Sequence, residues 1–296
     1  MISAIVPTYR GQARLSRNLP SVVASLEASG AGWEVIVVDD GGGQGGSLPQ
    51  GCRWLVLDRN RGYGPAVNAG AAGASGDFLL VLNDDVALET DTVRSLRALF
   101  PDPDLFAVVP SIRSSLAACG DEGGKRGVWK AGLIEVEETV SDRVQPTLYP
   151  VGCCFLCPRQ AFLDLGGYDD LYAPFFFEDV DLGYRVWRRG LRCLHVPHAI
   201  CHHEGSATLK EQRTYEDRVR MFFRNSVLFH LRNLQDRRRR AANYGAWLAH
   251  ALFEGREDRR QGLAEAIAAM SRAGPRTDGG LSDDAILARV VGTDAS

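Results

Sequence analysis

The chain has 296 residues and a net charge of −3, and 45% of its residues are hydrophobic. This length accommodates one large α/β domain with appendages or two modest domains, and the composition excludes disordered and fibrous classes. The nearly balanced charge argues against nucleic-acid binding, and no apolar run approaches the roughly 20 residues of a membrane span. With no charged leader before an apolar stretch, we expect a cytoplasmic protein.

Strand-type and helix-type segments alternate through the first half of the chain. Residues 2–6 and 34–38 are short apolar runs typical of strands, and the apolar periodicity between them indicates a helix. Two further strands are predicted at 54–57 and 76–82, with a helix between them whose first turn contains Pro65. This order predicts an α/β fold with a Rossmann-like, mostly parallel central sheet flanked by helices.

A glycine-rich loop follows the second predicted strand. Gly41, Gly43 and Gly46 match the spacing G-x-G-x-x-G of dinucleotide-binding loops. In those loops the glycines open a helix, and a ribose-binding acid follows about 20 residues later. Here two carboxylates precede the glycines, and Pro49 leads directly into the next strand without room for a helix. We interpret the match as accidental, which argues against an NAD-linked oxidoreductase.

Polar residues follow all four predicted strands: Pro7-Thr8-Tyr9, Asp39-Asp40, Asn60-Arg61-Gly62 and Asn83-Asp84-Asp85. Ligands of open α/β sheets bind beyond the carboxyl ends of the strands. One acidic pair is typical of a turn or a helix cap. Two pairs at one sheet edge repel each other unless a cation or hydrogen-bond donors neutralise them. This edge is therefore the predicted ligand site.

The seven cysteines have no spacing typical of a disulfide framework, so we expect reduced thiols. Cys154 and Cys157 form one C-x-x-C, and further Cys and His residues follow between 193 and 203. A structural zinc site remains an alternative. Buried thiols are the preferred interpretation, because the candidate ligands lie in strands whose neighbouring side chains point to opposite faces.

The segment PFFFEDVDLGYRVWRRG predicts a helix with Glu178, Asp179 and Asp181 in its first turn and arginines near its end. This charge distribution suits the helix dipole, so the acids have a structural as well as a catalytic interpretation. The helix N-terminus should lower the pKa of Asp179, and the two neighbouring acids should limit that fall.

A helical extension is predicted beyond the sheet domain. Residues 208–236 indicate one long helix, a second helical segment follows, and a short helix is expected near the C-terminus. We assign 1–205 to the sheet domain, 206–270 to the extension, and 271–296 to a flexible tail with a short helix. Arg237–Arg240 form either a solvated helix face, which we favour, or a contact with a membrane surface or lipid-linked acceptor.

The ordered segments VPTYR, VIVVDDGG, NRGYGPAVNAG, FLLVLNDDV, GGYDDLYAPFFFEDVDLGYRVWRRG and CHHEGS resemble family 2 glycosyltransferases of the GT-A fold, particularly bacterial rhamnosyltransferase-like members. The likeness spans residues 2 to roughly 235. It implies a GT-A fold and inverting transfer of a sugar, in surface polysaccharide or glycolipid synthesis, from a nucleotide diphosphate sugar, UDP- or dTDP-linked. The implied acceptor is a carbohydrate or lipid-linked hydroxyl, and peripheral contact with the inner membrane face is compatible with it. The implied cofactor is Mg²⁺ or Mn²⁺.

The resemblance also implies roles for individual residues. Asp179 matches the general base, and Asp85 with His202 matches the metal ligands, His203 being the alternative histidine. Asn83 replaces the first acid of the D-x-D motif. Thr8 and Tyr9, with Asp39 or Asp40, match the positions that hold the nucleobase. The candidate substrate-binding residues are Pro7, Thr8, Tyr9, Asp39, Asp40, Asn60, Gly62, Asn68, Asn83, Asp84 and Glu178. We expect acceptor recognition within 111–150 and 205–235.

Two alternatives keep part of this site but differ in function. A non-catalytic nucleotide-sugar-binding protein of the same fold would not need Asp85 and Asp179, and both are present. A metal-dependent nucleotidyltransferase usually has a glycine- and lysine-rich signature near the first strand, and VPTYRGQARL contains no lysine.

Overall fold

The computed structural model describes residues 1–43, 45–114, 122–204, 214–253, 257–277 and 279–291, with the side chains of 251–253 outside the description. The strands are β1 (Ile2–Thr8), β2 (Trp33–Asp39), β3 (Cys52–Val56), β4 (Phe78–Leu82), β5 (Val86–Leu88), β6 (Leu105–Ser114), β7 (Gly124–Lys130), β8 (Leu133–Thr139), β9 (Gln145–Pro146), β10 (Cys154–Pro158) and β11 (Arg192–His203). The helices are α1 (Gln12–Ala28), α2 (Tyr63–Ala72), α3 (Thr92–Arg97), α4 (Arg159–Asp164), α5 (Glu178–Arg188), α6 (Tyr215–Asn233), α7 (Arg237–Phe253), α8 (Glu257–Ala273) and α9 (Asp283–Val291).

The central sheet has the strand order β3-β2-β1-β4-β10-β6-β11-β5, and β9 pairs with β11. The strands β3, β2, β1 and β4 are parallel, as predicted. Beyond them β10 runs antiparallel to β4 and β6, β11 runs parallel to β6, and β5 is antiparallel to β11. The sheet is thus parallel in its first half and mixed in its second, because β10 enters beside β4 in the opposite direction.

All seven residues of β1 and the last five of β2 are buried, so both faces of these strands are covered, as their continuous apolar runs predict. The α2 helix lies close to β1 because position 70 is glycine. A Cβ atom there would come within 2.4 Å of Ile5 Cγ2. This close packing places the N-terminus of α2 at the edge where the parallel strands end.

A second hydrophobic core joins α5 to the C-terminal helices, and its members include Tyr184, Trp187, Phe229, Trp247 and Ile286. The predicted long helix is described from Tyr215 and ends at Asn233, while 208–213 lie outside the description. No helix in the described part of the chain combines the length and the apolar character that a membrane crossing requires.

The segment after α8 contacts α5 through ion pairs to buried carboxylates or arginines. Arg276 Nη2 lies 3.1 Å from Asp181 Oδ2, and Asp283 pairs with Arg188. The predicted terminal helix is present as α9, whose Ile286 and Val290 are buried. Of the assigned tail, residues 278 and 292–296 lie outside the description.

A buried histidine links α6 to the hairpin formed by β7 and β8. His230 Nδ1 donates to Ser226 O at 2.7 Å, and Nε2 accepts from Ile134 N at 2.8 Å. Burial lowers the pKa of His230 to about 4. The unfolded chain, with a histidine pKa near ~6.5, therefore binds a proton that the folded chain does not.

We accordingly expect the free energy of unfolding to fall as the pH is lowered from 6.5 towards 4, by up to about 1.4 kcal/mol per pH unit from His230 alone. His230→Gln keeps an acceptor near the Nε2 position but does not titrate, so its stability should depend less on pH. Urea unfolding of both proteins at pH 7 and pH 5 measures this difference. Equal pH dependence in the two proteins would contradict the linkage.

Candidate active site

A cavity of about 660 Å³ lies beyond the carboxyl ends of the parallel strands. The predicted site residues that line it are Pro7, Thr8, Tyr9, Asp40, Asn60, Gly62, Asn83, Asp84, Asp85, Glu178 and Asp179. Convergence of parallel strand ends, together with the N-terminus of α5, brings these distant segments together.

Three predicted residues lie outside the cavity. Asp39 is fully buried, and its Oδ1 accepts a hydrogen bond from Gly42 N at 2.7 Å. Asn68 exchanges two hydrogen bonds with the backbone of Tyr168. The side chain of His202 is 49% exposed, and its Nε2 lies 3.3 Å from Glu89 Oε1. Their positions suit structural or surface roles rather than contact with a ligand in this cavity.

Asp40 shapes the wall beside α2. Its Oδ1 accepts from Arg61 N at 2.7 Å and its Oδ2 from Gly62 N at 2.8 Å. Burial raises the pKa of Asp40, although these two N–H groups favour the anion. Gly62 has φ 95°, and a Cβ atom there would lie 2.5 Å from Pro174 Cα. Asp40 therefore fixes the loop that meets the segment leading into α5.

Asp84 is neutralised within the protein. Its Oδ2 accepts from Thr8 Oγ1 at 2.6 Å, and its Oδ1 lies 3.0 Å from Arg14 Nε. Burial raises its pKa, although Arg14 and Thr8 act in the opposite direction. The carboxylate of Asp84 thus links the end of β4 to β1 and α1. Arg14 supplies the positive charge that offsets repulsion between Asp84 and Asp85.

Asp85 faces His203, which pairs with Val86 where β11 runs beside β5. His203 Nε2 lies 3.2 Å from Asp85 Oδ1, and both side chains are largely buried. Burial disfavours the imidazolium, but the carboxylates of Asp85, Glu122 and Asp84 outweigh it and raise the pKa of His203. Since side chains alternate along a strand, only one of the two consecutive histidines can face Asp85.

The donor atoms at Asp85 and His203 fit a divalent cation. Asp85 Oδ1 is buried and accepts no hydrogen bond among the described residues, but it lies within ion-pair distance of His203 Nε2. Across those same residues, no three His, Cys, Asp or Glu side chains form a complete metal cluster. Mg²⁺ typically takes one or two carboxylates and completes its shell with phosphate and water, so an incomplete protein cluster is compatible with it.

The described cysteines take part in no cluster of three metal-ligating side chains, although Cys153 lines the cavity. Cys153, Cys154, Cys157, Cys193 and Cys201 are buried free thiols in the described structure. Their burial is the arrangement expected of hydrophobic packing residues. Cys52 is a partly buried free thiol, and Cys119 lies outside the described residues.

Asp179 enters the cavity from the first turn of α5. Its Oδ2 accepts from Gly152 N at 3.1 Å, and its Oδ1 accepts from Val180 N at 2.8 Å. Burial raises the pKa of Asp179, with these N–H groups and the charge of Lys125 offsetting part of the effect. The expectation of a pKa lowered by the helix terminus is wrong, because loss of hydration outweighs the helix dipole.

Glu178 and Asp181 flank Asp179 but occupy different environments. Glu178 is 8% exposed, and its Oε2 has no hydrogen-bond partner among the described residues. Burial and the neighbouring Asp179 raise its pKa well above the usual range. Asp181 points into the protein, where Arg185 and Arg276 outweigh burial and lower its pKa. The pair facing the cavity is therefore Glu178 and Asp179.

Among the aromatic residues that line the cavity, we call five the aromatic wall: Tyr149, Phe175, Phe176, Phe177 and Phe222. Phe222 comes from α6 and is 53% exposed. The run of three phenylalanines before Glu178 was a visible signal for this wall. Phe222 could not be distinguished in the sequence from the rest of the apolar stripe of its helix.

Comparison with known proteins places these observations in a family. The sequence profile of glycosyl transferase family 2 matches residues 3–166. The N-acetylglucosaminyl-diphospho-decaprenol L-rhamnosyltransferase of Mycobacterium tuberculosis is 29% identical over 258 residues, covering 73% of this chain and 80% of that protein. The pre-mycofactocin glycosyltransferase of the same species is 29% identical over 207 residues, which cover 66% of this chain and 42% of that protein. The chain thus spans less than half the length of the second relative.

Solved structures agree on the architecture. GalNAc-T7 in complex with UDP, GalNAc and Mn²⁺ superposes with a TM-score of 0.59 at 16% identity, covering 92% of this chain and 56% of that one. TarS 1–349 of S. aureus gives a TM-score of 0.52 at 14% identity, covering 99% of this chain and 82% of that one. At such identities the likeness concerns the fold. The chain has the GT-A glycosyltransferase fold. It belongs to glycosyl transferase family 2.

Proposed function

We propose that this protein is a metal-assisted, inverting glycosyltransferase that moves a sugar from a UDP- or dTDP-linked donor to a hydroxyl of a lipid-linked or carbohydrate acceptor. The main support for the proposal is that one cavity contains both a candidate cation site and a candidate general base. Asp85 and His203 offer donor atoms for a cation, and Asp179 is a separate carboxylate on another element.

The donor would occupy the part of the cavity lined by the strand ends. Tyr9 offers an aromatic ring, Asn60 and Asn83 offer amides, and Asp40 holds the adjoining loop. Asp85 and His203 would hold the cation there. A bound Mg²⁺ or Mn²⁺ would offset the charge that develops on the departing diphosphate.

Asp179 would act as the general base. The acceptor oxygen bonds to the anomeric carbon as the bond from that carbon to the diphosphate breaks, and the proton of the attacking hydroxyl passes to Asp179. Backbone N–H groups hold both carboxylate oxygens in place, and each oxygen keeps a further lone pair. The raised pKa makes the group a stronger base than an exposed aspartate. A single displacement from the face opposite the diphosphate inverts the anomeric centre.

The aromatic wall of the cavity favours an acceptor with an apolar part. Phe222 is half-exposed at the cavity, and Tyr215, one heptad earlier on α6, is also exposed. The rhamnosyltransferase relative is named for an acceptor on diphospho-decaprenol. We infer that the acceptor here is likewise lipid-linked, in surface polysaccharide or glycolipid synthesis.

We also propose that the protein acts in the cytoplasm, with peripheral contact at the inner membrane face. Arg237 and Arg238 are exposed at the start of α7, where they can face anionic lipid headgroups. Arg239 instead pairs with Asp284 and lies 4.3 Å from the ring centroid of Trp129, so part of the arginine cluster is structural.

A donor screen followed by product analysis tests this function. Thermal stability is measured with UDP-, dTDP- and GDP-linked sugars, each with Mn²⁺ and with EDTA. One donor class should raise the melting temperature only with the cation. NMR of the product made with that donor should then give the opposite anomeric configuration. Retention of configuration, or stabilisation that is equal in EDTA, would overturn the proposal.

A further inference from the structure

Two consecutive phenylalanines immediately before α5 have left-handed backbone conformations. Phe176 has φ 77° and Phe177 has φ 70°. The left-handed region costs an L-residue with a bulky side chain free energy, and such residues persist only where surrounding structure holds them. Asp179 follows Phe177 by two residues, so the contacts that hold this segment also affect the position of Asp179.

Asn225 of α6 binds this segment through its side-chain amide. The Nδ2 atom lies 2.8 Å from Tyr172 O, 2.9 Å from Phe175 O and 2.9 Å from Phe176 O. The residue is only 1% exposed. These carbonyls precede α5 and take no part in its hydrogen-bond ladder, so the two N–H groups of one amide satisfy three of them.

Aromatic side chains of α6 support the same segment. The ring centroid of Phe222 lies 5.7 Å from that of Phe176 and 5.2 Å from that of Phe177. Phe229 lies 5.9 Å from Phe177 on the side of the second core. Both the hydrogen bonds and the aromatic contacts of α6 are therefore made to the residues directly before α5.

We propose that Asn225 is a positioning residue for sugar transfer: it holds the segment 172–176 and thereby fixes the direction in which Asp179 enters the cavity. The inference rests on the proposed function in assigning the base role to Asp179. It adds a supporting residue on α6, which like Asp179 lies outside the residues 3–166 that match the family profile. The α6 helix is then a working part of the site, beyond its role in stability.

A second buried asparagine provides a matched control. Asn243 on α7 is also 1% exposed, and its Nδ2 donates to Gly132 O at 3.0 Å, in the turn between β7 and β8. Replacing either residue with Ala removes a buried amide that binds backbone carbonyls. Only the change at 225 affects the segment before α5.

The experiment compares Asn225→Ala and Asn243→Ala with the wild type at a temperature where circular dichroism shows all three folded. We expect Asn225→Ala to lower kcat by about tenfold, since small misplacements of a catalytic group are costly, with the Kd for donor unchanged. The acid limb of its pH–rate profile should also move. Asn243→Ala should alter neither quantity. Asn225→Ser, which keeps one short donor, replaces the alanine variant should that variant not fold.

A titration of Asp179 by carboxyl ¹³C NMR gives a readout independent of turnover, with Asp179→Asn assigning the signal. The titratable groups facing Asp179 are Glu178, Lys125, Tyr63, Tyr149 and Tyr168, and all are retained in both asparagine variants. We expect the midpoint to shift in Asn225→Ala only. An unchanged titration and an unchanged kcat, or an equal shift in Asn243→Ala, would overturn the positioning role. Absence of transfer by the wild type would instead overturn the proposed function while the titration still decides the role of Asn225.

Discussion

Asp179→Asn is expected to lower kcat by on the order of 10²- to 10⁴-fold, the usual cost of removing a general base. Asn retains the shape of the side chain and one acceptor oxygen for the N–H groups of Gly152 and Val180, but it cannot take the proton of the attacking hydroxyl. The donor contacts and the cation site lie on other elements, so the Kd for donor should change little. Stopped assays of sugar transfer and calorimetric donor titrations measure the two quantities separately.

The pH dependence of the same pair of proteins gives an independent check. Burial raises the pKa of Asp179, so wild-type kcat should fall as the pH drops through the apparent pKa of the coupled Glu178 and Asp179 pair. The residual activity of Asp179→Asn should lack that acid limb. Asp164→Asn, at an exposed carboxyl on α4 that binds Gln160, is the control for the substitution itself. Wild-type turnover in Asp179→Asn would show that Asp179 is not the general base.

The second large effect is expected at the cation site. Asp85→Asn should lower kcat/KM by on the order of 10²- to 10³-fold at a fixed Mn²⁺ concentration, because charge neutralisation by a metal contributes several kcal/mol to such transfers. His203→Gln should weaken Mn²⁺-dependent donor binding on the order of 10- to 100-fold. Calorimetric titration of a nucleoside diphosphate, with Mn²⁺ and then with EDTA, measures both variants.

The neighbouring histidine is the matched control for this prediction. His202 is half-exposed, pairs with Glu89 and points to the other face of β11, so His202→Gln should bind donor like the wild type. A larger loss in His202→Gln than in His203→Gln would reverse the assignment of the ligand. If the wild type bound the nucleotide equally well with Mn²⁺ and with EDTA, Asp85 would have no role in holding a cation for the donor.

Local patterns in the sequence were sufficient for the parallel half of the fold and for the position of the site. Continuous apolar runs identified β1, β2 and β4, and polar residues immediately after them marked the edge where the cavity lies. The direction of β10 could not be read in this way. An apolar strand has the same pattern in either orientation, and its neighbour is chosen by the path of the whole chain.

Charge balance at the site depended on contacts between distant residues. Arg14 neutralises Asp84 from a position 70 residues away, so the sequence suggested two available carboxylates where the fold leaves Asp85 to face the cavity with His203. The choice between His202 and His203 followed from the register of β11 beside β5. Neither spacing nor residue type reveals which face of a strand a pair of adjacent histidines presents.

The sequence by itself determined the helix of α5, its acidic first turn and the family to which the chain belongs. Only the tertiary structure decided the direction in which the pKa of Asp179, in that first turn, is shifted. A helix terminus acts locally and favours the anion of Asp179, whereas burial in the folded protein removes water from it and raises its pKa. The aromatic wall of the cavity includes Phe222, and Asn225 holds the segment before the helix. Both come from α6, and such long-range packing has no signature in the residues around Asp179.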